Sequence, residues 1–331
     1  MNNEIYDVTI VGGGPVGMFA AFYAGLREAK VQIIESLPEF GGQVKALYPE
    51  KTILDVPGFA GITGQELISN LEKQLNLVKT DQFLNEAVID IVKEDDDTFT
   101  IKTTQRTTKS KGVIIATGAG AFEPRTLRAE NAEELRNQKL FYSVPKLDKF
   151  KNHEVMVAGG GDAAVDMALM LNQVAKKVYL VHRREEFKGL EHMVSQLKNS
   201  DIELMTPYLI KKLELQNDRL SVSAKKVKSD NELETKLVDE LVVNYGFVSN
   251  NKALKKWSIK PKLDHNLIVV DGFMQTDIEN VFAIGDPIVY SSKQDLIANG
   301  FAEASIALNG LLKQIRPNDH GPVHSTGINL K

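Results

Sequence analysis

The chain reads as an α/β protein of two three-layer domains, one inserted in the other, and three observations predict this. One glycine-rich turn pattern occurs twice, each time between two apolar strands. The spacing within the two copies is identical. Each copy is followed by a short β meander and by a further apolar strand ending at a glycine. Strand–helix–strand units whose strands are apolar throughout belong to parallel sheets covered on both faces.

The first copy runs from Asp7-Val8-Thr9-Ile10-Val11 into Gly12-Gly13-Gly14-Pro15-Val16-Gly17. A helix of small and apolar residues leads on to Val31-Gln32-Ile33-Ile34-Glu35. The second runs from Glu154-Val155-Met156-Val157-Ala158 into Gly159-Gly160-Gly161-Asp162-Ala163-Ala164, and on to Val178-Tyr179-Leu180-Val181-His182-Arg183-Arg184. In both, the residue after the second strand lies 23 positions beyond the first glycine, Gly12 to Glu35 and Gly159 to His182. This is the Rossmann-like, dinucleotide-binding pattern of the FAD/NAD(P)-binding type. Gly12 and Gly159 take the tight turn, Gly14 and Gly161 let backbone approach a pyrophosphate, and Gly17 or Ala164 lets the helix lie close to the sheet. The pyrophosphate faces unpaired N–H groups at the positive end of the helix dipole.

The two copies end in opposite charge. Glu35 accepts hydrogen bonds from the hydroxyls of an adenosine ribose and repels a 2′-phosphate. His182, Arg183 and Arg184 do the reverse, which selects NADPH over NADH; taken alone, the two arginines are equally an ordinary solvated strand end. Asp162 reads as a helix cap. Two dinucleotides in one chain imply electron transfer.

Composition bounds the remaining chemistry. A length of 331 residues suits two domains, and 43% hydrophobic with 25% charged residues is ordinary for a globular chain. No apolar run approaches a membrane span, and Met1-Asn2-Asn3-Glu4 does not read as a signal peptide, so a cytoplasmic location is expected. There is no cysteine, which removes disulfide, dithiol and Cys-ligated metal chemistry. The six histidines lack metal-ligand spacing, and a net charge of −4 argues against nucleic-acid binding.

Along the chain, Ala87–Val92 and Thr98–Thr103 form strands joined by the acidic turn Glu94-Asp95-Asp96-Asp97, and Gly112–Gly118 is a buried strand with a glycine ending. A second meander from about Leu204 to Asp239 precedes Val242–Phe247, repeating that ending. Phe282-Ala283-Ile284-Gly285-Asp286 is a strand of the resumed first domain, and a helix follows from about Asp295 to Gln314. The expected domains are 1–118 with 248–331 for FAD, and 119–247 for NADPH.

With Gly-Gly-Gly-Pro, Ala-Thr-Gly, Gly-Gly-Gly-Asp, His-Arg-Arg and Ile-Gly-Asp in this order, the chain resembles the thioredoxin-reductase-like flavoproteins, and more closely their type 2 ferredoxin–NADP⁺ reductase branch. The resemblance spans essentially the whole chain. Its branch-specific stretches are Gly41–Lys51, Asn244–Ser249 and His324-Ser325-Thr326. Where a bacterial thioredoxin reductase carries Cys-x-x-Cys, this chain has Tyr142-Ser143-Val144-Pro145, so electrons cannot pass to a disulfide by that route and thioredoxin reductase is excluded.

The resemblance implies that Glu35, Gly42, Gln43, Tyr48, Val88, Phe122, Asp286 and Thr326 bind FAD, with Tyr48 against the isoalloxazine and the Val88 backbone at the adenine edge. Outside that context, Tyr48 and Phe122 read as core aromatics. It further implies that His324, Ser325 and Thr326 cover the other flavin face across a homodimer interface, with Tyr48, His324 and Ser325 modulating the flavin and no strict catalytic side chain.

The activity implied is FAD-dependent NADPH:ferredoxin oxidoreduction: hydride from NADPH to FAD N5, then one-electron transfers to an acidic ferredoxin or flavodoxin. A general NADPH diaphorase or flavin reductase, and a non-catalytic NADPH-sensing protein, are the alternatives. An acidic carrier wants a basic face, for which the candidates are Lys252, Lys255, Lys256, Lys260 and Lys262 around Trp257, or Lys211, Lys212, Lys225, Lys226 and Lys228. Either cluster is equally a solvated lysine face.

Overall fold

The computed structural model describes residues 5–118, 120, 123–144, 146–229, 232–248 and 252–318. Phe122, His324, Ser325 and Thr326 lie outside the described residues. The chain divides into two compact units, one of Met1–Ala46, Thr52–Phe122 and Ser249–Lys331, the other of Leu47–Lys51 and Glu123–Val248.

The first unit is built on a seven-stranded sheet in the order Asp81–Phe83, Val31–Ile34, Ile5–Val11, Thr107–Ile115, Phe99–Thr103, Val88–Lys93, with Val281–Ala283 also paired to Thr107–Ile115. Thr107–Ile115 changes partners along its length. Its first half runs antiparallel to Phe99–Thr103, and its second half runs parallel to Val281–Ala283. The parallel strands are apolar because both faces are covered: Val8, Ile10, Ile33, Ile114 and Phe282 are fully buried. Each such side chain contributes about 1.5–3 kcal/mol. The helix Pro15–Leu26 starts on a proline whose φ is already helical and buries Met18, Ala20, Ala21 and Ala24.

Asp7 ties the foot of this sheet together. Its carboxylate accepts from Lys30 N–H at 3.1 Å, from Lys111 at 2.8 Å and from Arg316 at 2.5 Å. Burial opposes its ionisation, but those three donors outweigh it and hold the carboxyl below the usual carboxylate range. A depressed folded value adds stability above the unfolded value of about 3.9, lost as pH falls through the folded one. Asp7→Asn is therefore expected to cost about 1–2 kcal/mol at pH 7. Urea midpoints of the two proteins should converge as pH drops below about 4; a gap that persists in acid would assign the loss to packing.

The second unit repeats the plan. Five parallel strands run in the order Glu203–Met205, Lys177–Val181, Glu154–Ala158, Glu240–Val243, Leu140–Phe141. Strand alternation sends Val155, Val157, Val178 and Leu180 to one face, where they pack with Val165, Ala168 and Leu171 of the helix Asp162–Leu171. Met156, Tyr179, Leu241 and Val243 face the other way, onto Leu213, Val222 and Val238 of an antiparallel meander formed by Tyr208–Gln216, Arg219–Lys226 and Leu233–Val238. Helix, sheet and meander make the three layers that the sequence predicts.

Residues 47–51 group with this second unit, although they lie among first-unit residues in the chain. The N–H of Leu147 donates to Glu50 at 2.6 Å, and Lys51 pairs with Asp166 at 2.5 Å. Two smaller differences have local causes. The last helix is Ile297–Ile315, because Asp55 accepts the Ile297 N–H at 2.6 Å and sets its first turn there. Trp257 is 2% exposed, with its indole N–H on the Val88 carbonyl, so it belongs to the core and does not centre a surface patch. Among the described residues, no helix is long and apolar enough to cross a membrane.

Candidate functional site: two matched glycine turns

The equal spacing becomes an equal register. Val11 lies opposite Ile34 and Ile115, and Ala158 lies opposite Val181 and Val243. The same bonds close both turns. Gly12 N–H donates to Ile34 O at 2.9 Å and Gly159 N–H to Val181 O at 3.1 Å, while Ala116 and Asn244 each donate back to the first strand at 2.8 Å.

The first turn leaves no room for side chains at two of its glycines. Gly12 has φ +110, and a Cβ there would lie 2.3 Å from Ala116 O. A Cβ on Gly17 would lie 2.0 Å from Gly12 O. Gly14 is different: a Cβ there would meet nothing within 4 Å, so this position faces open space at the helix N-terminus. That is the surface a pyrophosphate requires.

Glu35 is 6% exposed. Gly13 N–H donates to its Oε2 at 2.6 Å, and Leu37 N–H and Ser36 Oγ donate to Oε1 at 2.8 and 3.0 Å. A carboxylate takes about four donors, so acceptor capacity remains for a ribose hydroxyl. The second glycine of the motif thus has a job of its own, admitting Glu35 close to the turn.

Gly41 N–H donates to Gly13 O at 2.9 Å, bringing Gly42 (φ +53) against Gly14, where a Cβ would sit 3.1 Å from the Gly14 Cα. The Gln43 amide nitrogen lies 3.3 Å from where a Gly118 Cβ would be. Beside it, Thr117 Oγ1 is buried without a hydrogen-bond partner, a polar atom suited to a polar ligand. Gly285 (φ +78) packs on Val16 of the first helical turn and carries Asp286 there. Asp286 is open to solvent yet walled by protein. Desolvation, reinforced by Asp295, Glu303 and Asp55 and opposed by Lys293, raises its carboxyl above the usual range.

The structure therefore gathers Gly12, Gly14, Gly17, Glu35, Gly42, Gln43 and Asp286 around one helix N-terminus. Tyr48 groups with the second unit, where the Lys51 ammonium is 5.5 Å from its ring centroid. The Val88 carbonyl already accepts the Trp257 indole N–H.

In the second turn, a Cβ on Gly159 would lie 2.5 Å from Asn244 O and 2.6 Å from the Ala164 Cβ, so Ala164 is tolerated because Gly159 has no side chain. Gly161 is open, with Lys188 O the nearest atom at 3.9 Å. Gly160 admits the His182 ring, which an added Cβ would approach to 2.2 Å. Burial, then the charges of Arg183 and Arg184, lower the His182 pKa, so at neutral pH the imidazole is uncharged. His182 contributes shape, and the positive charge comes from the arginines. Both are exposed, and neither is ion-paired with another described residue.

Asp162 is not the cap expected of it. It is the first residue of its helix, and its Oδ1 accepts the Leu190 N–H at 3.0 Å, while Lys188 N–H donates to Gly160 O at 2.7 Å. Those two bonds fold the loop after Arg184 back onto the turn. Sequence reasoning missed this, and also missed Thr117, Asn244 (whose buried Oδ1 has no partner) and Gly160.

Both lysine clusters are partly engaged in contacts within the protein, and only the second is partly neutralised by carboxylates. Lys255 bonds Asn266, Lys260 caps the carbonyls of Lys255 and Trp257, Lys212 pairs with Glu214 and Glu130, and Lys226 pairs with Glu232.

Comparison with known proteins agrees with this geometry. The family model for pyridine nucleotide-disulphide oxidoreductases matches residues 6–308. A protein of Limosilactobacillus reuteri named ferredoxin–NADP reductase is 50% identical over 331 residues, covering 100% of this chain and 99% of its own. One of the same name from Lactiplantibacillus plantarum is 51% identical over 98% of both chains. Among solved structures, Lactococcus lactis thioredoxin reductase matches with a TM-score of 0.79 and 26% identity over 94% of this chain and 99% of its own. On the extent of these matches, the chain belongs to the pyridine nucleotide-disulphide oxidoreductase family.

Proposed function

We propose that this protein is a ferredoxin–NADP reductase that holds FAD in the first unit and NADPH in the second. The observation that carries the reading is the pair of turns of one geometry, one ending in a buried carboxylate and the other in two exposed guanidiniums with no ion pair among the described residues. The absence of cysteine adds to it, since a member of a family named for disulphide chemistry here has no cysteine pair to relay electrons to a disulphide. The names carried by relatives at about half identity support the same acceptor.

The FAD-binding residues on this reading are Gly12, Gly14, Gly17, Glu35, Gly42, Gln43 and Asp286, with Tyr48, Val88, Phe122 and Thr326 added by family resemblance. Glu35 orients the adenosine ribose, and Gly14 and Gly42 leave backbone free to face the pyrophosphate. Gly159, Gly161, Ala164, His182, Arg183 and Arg184 bind NADPH, the arginines taking the 2′-phosphate. Held by the first set of residues, FAD would supply the chemistry that links a two-electron hydride donor such as NADPH to a one-electron carrier. The protein contributes orientation and charge, with no side chain required to move a proton. Flavodoxin as a second acceptor, a homodimeric state and a cytoplasmic setting complete the reading.

The test is a ferredoxin-coupled reduction assay beside a small-dye assay. A yellow protein that releases FAD on denaturation and drives ferredoxin reduction with NADPH is the expected result. Dye reduction without ferredoxin reduction would make it a general diaphorase, and a colourless protein would overturn the reading.

A further inference from the structure

Glu303 is a carboxylate that plays no part in the nucleotide contacts, and it is 2% exposed. A buried charge survives only where donors surround it. Its Oε2 accepts the Gly285 N–H at 2.7 Å, and its Oε1 accepts the Tyr290 hydroxyl at 2.9 Å and the Lys293 ammonium at 2.8 Å. All three donors come from the stretch that leaves strand Val281–Ala283, whereas Glu303 stands on the helix Ile297–Ile315. The Tyr290 phenol is pushed up to about 12, first by burial and then by Glu303, so it remains a donor at any physiological pH.

Gly285 is the partner that matters to the site. Its φ of +78 is a conformation that other residues rarely adopt, and this turn, which directly precedes Asp286, lies against Val16, whose Cγ2 is 3.7 Å from where a Gly285 Cβ would be. The same helix is seated on Val16 by Gly300, where a Cβ would come 2.3 Å from Val16 Cγ2. One helix thus fixes both sides of the Asp286 turn, through a packing contact at Gly300 and a charged hydrogen bond at Glu303.

The geometry points to Glu303 as a positioning residue of the FAD site, whose carboxylate holds the Ile284–Gly285 peptide and, through the Gly285 turn, places Asp286 beside the first turn of helix Pro15–Leu26. The inference rests on the assignment of FAD to this unit and adds a residue that does not itself touch the cofactor. Lys293 and Tyr290, which donate to its Oε1, then serve to keep the Glu303 side chain aimed.

The test uses the holoprotein in a double-mutant cycle of Glu303→Gln and Asp286→Asn, with Tyr290→Phe as a comparison. Glu303→Gln leaves an acceptor for Gly285 but turns an amide donor toward Tyr290 and Lys293, so the aim of the group is lost. Two quantities are read, FAD dissociation by flavin fluorescence and the flavin midpoint potential. Each single variant should hold FAD roughly tenfold less tightly or worse, and Glu303→Gln should move the potential in the same direction as Asp286→Asn. In the double variant Glu303→Gln should add little. Tyr290→Phe keeps the bond to Gly285 and should stay close to wild type in both readouts. If Glu303→Gln does not fold, Glu303→Asp, which withdraws the carboxylate by one methylene, takes its place with the same expectation. Independent, multiplying effects of the two substitutions would overturn the proposal. So would a loss of thermal stability with FAD affinity and potential unchanged. A wild type that carries no FAD would bring down the cofactor assignment and this inference together, which separates the two failures.

Discussion

Replacing both guanidiniums, Arg183→Ala with Arg184→Ala, is expected to raise the KM for NADPH by roughly 10²–10⁴ while leaving that for NADH nearly unchanged. Each charge-assisted contact to a phosphate contributes about 1.5–3 kcal/mol. Both arginines are exposed, so solvent and salt draw the effect toward the lower end of that range. His182 compensates little, because burial, the largest cause of its lowered pKa, persists when the two arginine charges are gone. The loss should shrink as ionic strength rises, since the wild-type contact is itself screened. Steady-state KM values for both nucleotides in a dye-reduction assay decide the matter. Equal losses for NADPH and NADH would mean that the arginines support the turn and do not read the 2′-phosphate.

The second large effect contrasts one motif position in its two copies. Gly17→Ala would drive a Cβ to within 2.0 Å of the Gly12 carbonyl oxygen, which is backbone and cannot rotate away. Opening the helix from the sheet is the only relief, at a cost of about 3 kcal/mol or more, with loss of FAD as the turn distorts. The opposite change, Ala164→Gly, removes a methyl that the second turn already accommodates and should cost only about 1 kcal/mol. Urea denaturation with flavin content measured alongside tests both. A Gly17→Ala protein as stable as wild type would show that this helix and strand do not approach so closely.

Much of the architecture was readable in the sequence because it is written in local, repeated signals. The 23-residue interval specifies strand length, turn and helix together, and it emerges as identical registers at Val11–Ile34 and Ala158–Val181. The apolar strand Glu154–Ala158 and the Glu94–Asp97 turn were equally legible. What escaped depends on residues distant in sequence. The partner of Glu303 is a backbone N–H 18 residues away, and the group that caps the last helix, Asp55, is 242 residues from Ile297. No periodicity encodes such pairings. Residues 47–51 group with the second unit through Glu50 and Lys51, each an unremarked surface charge in the sequence. Asp162 misled for a simpler reason. An acidic residue after a glycine turn has two uses, and folding the 188–190 loop back competes with capping the helix.

Anaerobic stopped-flow absorbance, with NADPH and NADH run in parallel and ferredoxin then added, tests the central claim that the carboxylate-ended and arginine-ended turns hold two dinucleotides that exchange electrons. The account predicts fast loss of flavin absorbance with NADPH, much slower loss with NADH, and prompt return when ferredoxin arrives. Flavin absorbance that does not respond to NADPH would contradict it.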